Sequence, residues 1–106
     1  MGNVVDVARD EVKRGVADGS MVLVDVREAH EYAAGHIPGA VSQPLSSFDP
    51  SALAAHACRR IVFSCAAGVR SLHALNAAQA AGLDLNEHYR GGFRDWATSG
   101  EVVSQG

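Results

Sequence analysis

From Met21 to Val26 the chain is apolar at every position except Asp25, and from Ile61 it stays apolar until Ser64. Runs of this kind lack the alternation of a strand with one wet face, so they fit strands covered by helices on both sides. Helical periodicity surrounds them. Ala8, Val12 and Val16 recur at four-residue spacing, with Asp6 placed to cap that helix and Asp18-Gly19 to end it. After the second run, Leu72, Leu75 and Ala78 mark a helix starting near Ser71 and terminated by Gly82. Between the runs, Ala29 to Ala34 reads as a short helix closed by Gly35. His36-Ile37-Pro38-Gly39 is then a turn, and Ala40 to Leu45 a second strand. Asp49-Pro50 opens another helix, with Leu53, Ala54 and Ala57 as its inner stripe. Leu85 to Tyr89 is a weaker strand leading into Gly91-Gly92, and Phe93, Trp96 and Ala97 share a helical face as core filling. Strands alternating with short helices predict an α/β fold, a three-layer α/β/α sandwich with a mostly parallel central sheet. It occupies one domain over residues 1-103, with Ser104-Gln105-Gly106 as a tail free to fray.

A chain of 106 residues is long enough to bury roughly two-thirds of its unfolded surface without disulfides or metal. The formal charge of -3 argues against general affinity for nucleic acid, and no apolar run reaches membrane length. Arg59 and Arg60 are then a solvated approach to the second run. The start, Met1 to Asp6, has no basic region followed by an apolar stretch, so no secretory signal and a cytoplasmic location are expected. An extended strand between Cys58 and Cys65 would hold their Cα atoms roughly 20 Å apart, beyond disulfide reach. Neither has a close His or Cys at ligand spacing, so no metal and no other cofactor is expected.

Chemistry concentrates in Cys65-Ala66-Ala67-Gly68-Val69-Arg70-Ser71, where a strand hands a cysteine to the start of a helix. The unpaired N–H groups and positive dipole end of a helix favour an anion, and such a field lowers a cysteine pKa from ~8.5 towards ~3.5 to 7.5. Arg70 adds a fixed cation, and Gly68 lets successive N–H groups turn inward. An isolated cysteine in such a turn is more often structural. Here the adjoining glycine, arginine and helix start favour reactivity. Asp25 belongs at the same C-terminal sheet edge, where sites form in such sheets. Arg27 either lines the pocket mouth or, as the favoured reading, pairs with Glu28 or Glu31 on the surface. His36 in its Gly-Pro turn reads as structural, and His30, His56, His73 and His88 default to the surface.

Four separated segments carry a family resemblance: Asp25-Val26-Arg27-Glu28, Gly35-His36-Ile37-Pro38-Gly39-Ala40, Cys65 through Arg70, and Gly91-Gly92-Phe93-Arg94-Asp95-Trp96. In order and spacing they resemble the rhodanese family of single-domain sulfurtransferases along nearly the whole chain. The resemblance implies that Cys65 is the nucleophile and cycles through a persulfide. The backbone N–H groups of Ala66, Ala67, Gly68, Val69 and Arg70 would surround its sulfur, with Asp25, Arg27 and Ser71 in support. Asp25 would accept hydrogen bonds from loop amides or Arg70; otherwise it is a turn carboxylate bonding nearby backbone. The implied partners are a small anionic sulfur donor such as thiosulfate and an acceptor that is cyanide, a thiol or a redox protein. Ala66 and Ala67 supply no hydroxyl that would select a donor, and Leu85 to Tyr89 is more polar than the family's strand.

Two rivals use the same fold. A phosphatase or arsenate reductase of the cell-cycle phosphatase group has five residues between cysteine and arginine, whereas four separate Cys65 from Arg70. One residue fewer removes up to ~3.6 Å of contour, which suits a persulfide sulfur better than a tetrahedral phosphate. A binding module without chemistry commonly lacks the cysteine that this chain keeps. A relay that hands persulfide to a protein acceptor has the same sequence signature as an enzyme acting on small molecules.

Overall fold

The computed structural model describes residues 4–56 and 58–106. Five strands form one parallel sheet in the order β1-β5-β4-β2-β3: β1 Val5–Asp6, β2 Met21–Asp25, β3 Val41–Ser42, β4 Arg60–Ser64 and β5 Glu87–Tyr89. The two apolar runs are neighbours at its centre. They pair residue for residue from Met21↔Arg60 to Asp25↔Ser64, so both stop at the same edge and Cys65 begins just beyond it.

Along β2 the side chains alternate between two cores. Val22 and Val24, with Ile61 and Phe63 of β4, face Leu53 and the inner side of α3 (Arg70–Ala80), namely Ala74, Leu75 and Ala78. Met21, Leu23 and Val62 face Val12 of α1 (Arg9–Asp18) and Trp96 of α4 (Gly92–Thr98), with Tyr32 of α2 (Ala29–Ala34) packed alongside. This is the α/β/α sandwich expected, and burial on both faces explains why β2 and β4 read as unbroken apolar runs. A capping box closes the start of α2, with Glu28 and Glu31 each accepting from the other's backbone N–H.

Several local expectations differ. Asp6 does not cap α1, which has Ala8 at its N-cap without a side-chain bond; Asp6 instead ends β1, a strand too short to show periodicity. The second strand shrinks to Val41–Ser42, because Pro44 cannot donate to a ladder and a 3-10 turn, Leu45–Ser47, follows it. Pro50–His56 is also 3-10, a tighter winding that buries Leu53 but leaves Ala54 exposed; Ala57 lies outside the described residues. Leu72 and Ala97 point to solvent, since Leu75 and Trp96 fill the space on their inner faces. The tail is tied down. Ser104 and His36 exchange backbone hydrogen bonds of 2.9 and 2.8 Å, and Gly106 N–H donates to Ala33 O, one of the carbonyls left open at the end of α2. Among the described residues no helix is long and apolar enough to cross a membrane.

Candidate active site

Cys65 sits between the end of β4 and the start of α3, with only 1% of its surface exposed. The loop after it is held from outside. Phe93 N–H donates to Cys65 O at 2.8 Å and Arg94 N–H to Ala66 O at 3.0 Å. In a trans peptide the N–H points opposite to the C=O, so anchoring these carbonyls turns the Ala66 and Ala67 N–H groups away from α4 and into the loop. Gly92 allows this approach, because a Cβ there would lie 2.3 Å from Cys65 O. Gly68 completes the ring with φ +90°, a conformation that side chains rarely adopt, and its N–H donates to Cys65 Sγ at 3.0 Å.

Burial pushes the Cys65 thiol up. The Ser71 hydroxyl, 3.6 Å from Sγ, and the backbone N–H groups of Ser71, Ala67 and Gly68 outweigh that and hold it below its ordinary value. The structure thus brings Cys65, Gly68 and Ser71 together by direct contact, with Ala66 and Ala67 turned inward. Val69 caps α3 and exposes its side chain.

Arg70 makes its contacts elsewhere. Its guanidinium grips both oxygens of Glu31, at 2.6 and 3.0 Å, so its charge reaches Cys65 through space rather than by a bond. Arg70 hydrogen bonding pulls the Glu31 carboxyl down to about 2, against the effect of burial and with help from the Glu28 N–H. Glu31 was not among the site residues read from sequence.

Asp25 and Arg27 correct the expectations placed on them. Asp25 bonds neither the loop amides nor Arg70, and Arg27 is neither at a pocket mouth nor on the surface. They form a buried pair, 3% and 4% exposed, with Arg27 Nε and Nη2 donating to Asp25 at 2.8 to 3.1 Å. Asp25 also accepts the Arg27 N–H at 2.9 Å, the turn-carboxylate alternative. Arg27 goes on to donate to Gly35 O at 2.7 Å and lies over the Phe93 ring. Together they fix both ends of α2, and through it the position of Glu31.

His88 is the largest correction. It is 2% exposed in β5, with Nδ1 2.9 Å from Ser71 Oγ and Nε2 2.9 Å from Asp6 Oδ1. The sequence shows β5 only as a weak, polar strand; with β1 beside it, β5 is interior to the sheet and its histidine is buried. His36 is structural as read, stacked on Tyr32 with Nδ1 on Tyr32 O. His30 and His73 are exposed and His56 half-buried. Cys58 and Cys65 are both free.

A shallow cleft of about 420 Å³ opens beside the loop, lined by Gly68, Val69, Leu72, Asp6, His88 and Arg90. A larger depression of about 630 Å³ lies around Gly82 and Asp84 and contains no nucleophile.

Residues 8–99 match the family described as Rhodanese-like domain. The chain belongs to the rhodanese-like family. It is 33% identical to the mouse thiosulfate sulfurtransferase/rhodanese-like domain-containing protein 3, over 83% of this chain and 65% of that protein, so it spans just under two-thirds of that relative. It is 32% identical to the human thiosulfate:glutathione sulfurtransferase, over 91% of this chain and 96% of that one. The structure of the human single-domain sulfurtransferase TSTD1 superposes with a TM-score of 0.71 and 32% identity, covering 92% of this chain and 97% of that chain.

The Glu31–Arg70 pair of this rhodanese-like domain has a pH signature. Glu31 has a folded pKa of about 2, below its ordinary 4.5, so its stabilisation is present above 4.5 and is lost as pH falls towards 2. Urea midpoints across that range are expected to fall less steeply in Glu31→Gln than in the parent. Parallel slopes would show that the pair contributes nothing to stability.

Proposed function

We propose that this rhodanese-like domain moves a sulfane sulfur from a small anionic donor such as thiosulfate to a thiol or cyanide through a Cys65 persulfide. The observation that carries the reading is the Gly68 N–H, 3.0 Å from Cys65 Sγ, in a loop whose amides are turned inward. The Cys65 thiolate attacks the outer sulfur of the donor, the donor's S–S bond breaks, and sulfite leaves with the electron pair. The persulfide then bears its negative charge on the terminal sulfur, where inward N–H groups stabilise it. Preorganised donors of this type are worth about 2.7 to 4 kcal/mol each at oxyanion sites, and the lower end suits the larger, softer sulfur. An acceptor thiolate or cyanide attacks that terminal sulfur, and the bond to Cys65 Sγ breaks to regenerate the thiolate. Arg90, exposed beside the cleft, supplies positive charge for an anionic donor. The proposed setting is a reducing cytoplasm, since the thiol works only while reduced.

The four-residue spacing from Cys65 to Arg70 and the engagement of Arg70 by Glu31 both favour this reading over phosphate chemistry, which needs the arginine free for an oxyanion. Intact-mass analysis after incubation with thiosulfate is expected to give a gain of one sulfur atom, removed again by glutathione or cyanide. A protein that gains no sulfur yet hydrolyses an aryl phosphate would belong to the rival class.

A further inference from the structure

From Cys65 a line of three polar side chains runs to the surface, and the sulfur chemistry above uses only the first. Ser71 Oγ is 3.6 Å from Cys65 Sγ and 2.9 Å from His88 Nδ1, while His88 Nε2 is 2.9 Å from Asp6 Oδ1. Ser71 and His88 are almost wholly buried, and the Asp6 side chain is 54% exposed.

The hydrogens along this line can be counted. The Asp6 carboxylate only accepts, so His88 Nε2 must carry a hydrogen. Ser71 has one hydrogen to give. When Cys65 is a thiol donating to Ser71, the Ser71 hydrogen points to Nδ1, which accepts, and the ring is neutral. When Cys65 is a thiolate, Ser71 turns its only hydrogen to the sulfur, and its oxygen then faces Nδ1. Two lone pairs would meet unless Nδ1 also carries a hydrogen, so the thiolate pattern closes only with an imidazolium. The two patterns hold the same three hydrogens and differ only in where one of them sits: the S–H bond breaks, the Ser71 hydrogen is exchanged, and an N–H bond forms on His88.

We propose that Ser71, His88 and Asp6 form a proton relay that takes the Cys65 proton as the thiolate forms. His88 holds the proton, Ser71 bridges to the sulfur, and Asp6 fixes the ring and offsets its charge. No external acid or base is needed, and the imidazolium stays one hydroxyl away from the anion it balances. His88 touches no reacting atom and is a positioning residue. Its charged surroundings are Asp6 on β1, Arg90 at 3.5 Å from Asp6, and Cys65 through Ser71; its register partner on β4 is Phe63. Arg70, whose charge reaches Cys65 only through space, is ion-paired with Glu31 and makes no contact with His88.

The proposal deepens the reading of Cys65 as the nucleophile, but its test uses no sulfur donor. The probes are iodoacetamide alkylation of Cys65 against pH and nitrogen NMR of histidine-labelled full chain. In the parent, His88 is expected to carry hydrogens on both ring nitrogens over the pH range where Cys65 alkylates as thiolate. In Cys65→Ala it should carry one, on Nε2. His88→Asn can bond Ser71 but cannot hold the extra proton, so its alkylation midpoint should rise by about one pH unit, a tenfold slower reaction at low pH. Ser71→Ala should shift it the same way. A single ring hydrogen on His88 in both parent and Cys65→Ala would overturn the relay, as would superimposable alkylation profiles for parent and His88→Asn. If His88→Asn does not fold, the NMR comparison decides alone. A protein with this proton linkage that takes no sulfur from thiosulfate would keep the relay and overturn the sulfur-transfer reading.

Discussion

Cys65→Ser is expected to lose sulfur transfer by about 10⁶-fold, the order of loss when an enzyme's nucleophile is removed. The serine hydroxyl is not ionised at neutral pH and cannot hold a sulfane sulfur. The Gly68 N–H and the Ser71 hydroxyl would remain to bond the new oxygen, so the fold should survive, with a urea midpoint close to the parent's. Cys58 is exposed and stands before β4, at the opposite end of that strand from Cys65. Cys58→Ser should therefore keep the parent rate. Thiocyanate production from thiosulfate and cyanide measures both variants. Substantial turnover by folded Cys65→Ser would sink the assignment, and a loss confined to Cys58→Ser would place the nucleophile on the wrong side of the sheet.

What the sequence made legible was local. Cys65 and its ring could be read because a buried strand, a glycine and a helix start lie next to one another in the chain. Their geometry follows from backbone rules, and the Gly68 contact is one that those rules anticipate. The partners that tune the site lie far away in the chain and leave no periodic trace. Glu31 is 39 residues from Arg70, and Asp6 is 82 residues from His88. Asp6 was the more costly omission. A two-residue strand carries too little pattern to be seen, yet it is β1 that covers the polar strand β5 on its open side and buries His88. One unread strand thus hid the roles of both His88 and Asp6. The Asp25–Arg27 pair failed differently: Arg27, two residues past the strand, looks like a surface cation, and only the closing of α2 over it, with Phe93 on the guanidinium, removes it from water and leaves it to Asp25.

That burial makes Arg27 the residue whose loss should cost most in stability. Arg27→Met is expected to destabilise the domain by about 3 to 5 kcal/mol, because it leaves the Asp25 carboxylate buried without its counter-charge. For a domain of this size the Tm should fall by more than about 10 °C. The cost is not the worth of the pair itself, since removing both charges should recover much of it. Asp25→Asn in the Arg27→Met background discharges the buried group while its side-chain oxygen still accepts the backbone N–H of residue 27 that Asp25 holds at 2.9 Å. Recovery should stop short of the parent, because Gly35 O would remain without the donor that reaches it at 2.7 Å, a loss of about 1 to 3 kcal/mol. Urea unfolding of the parent, the single variant and the double variant measures all three. If Arg27→Met lies within about 1 kcal/mol of the parent, water reaches Asp25 and the pair does not hold α2. If the double variant is no more stable than the single, the loss comes from Arg27 packing on Phe93 and from Gly35 O rather than from a stranded charge.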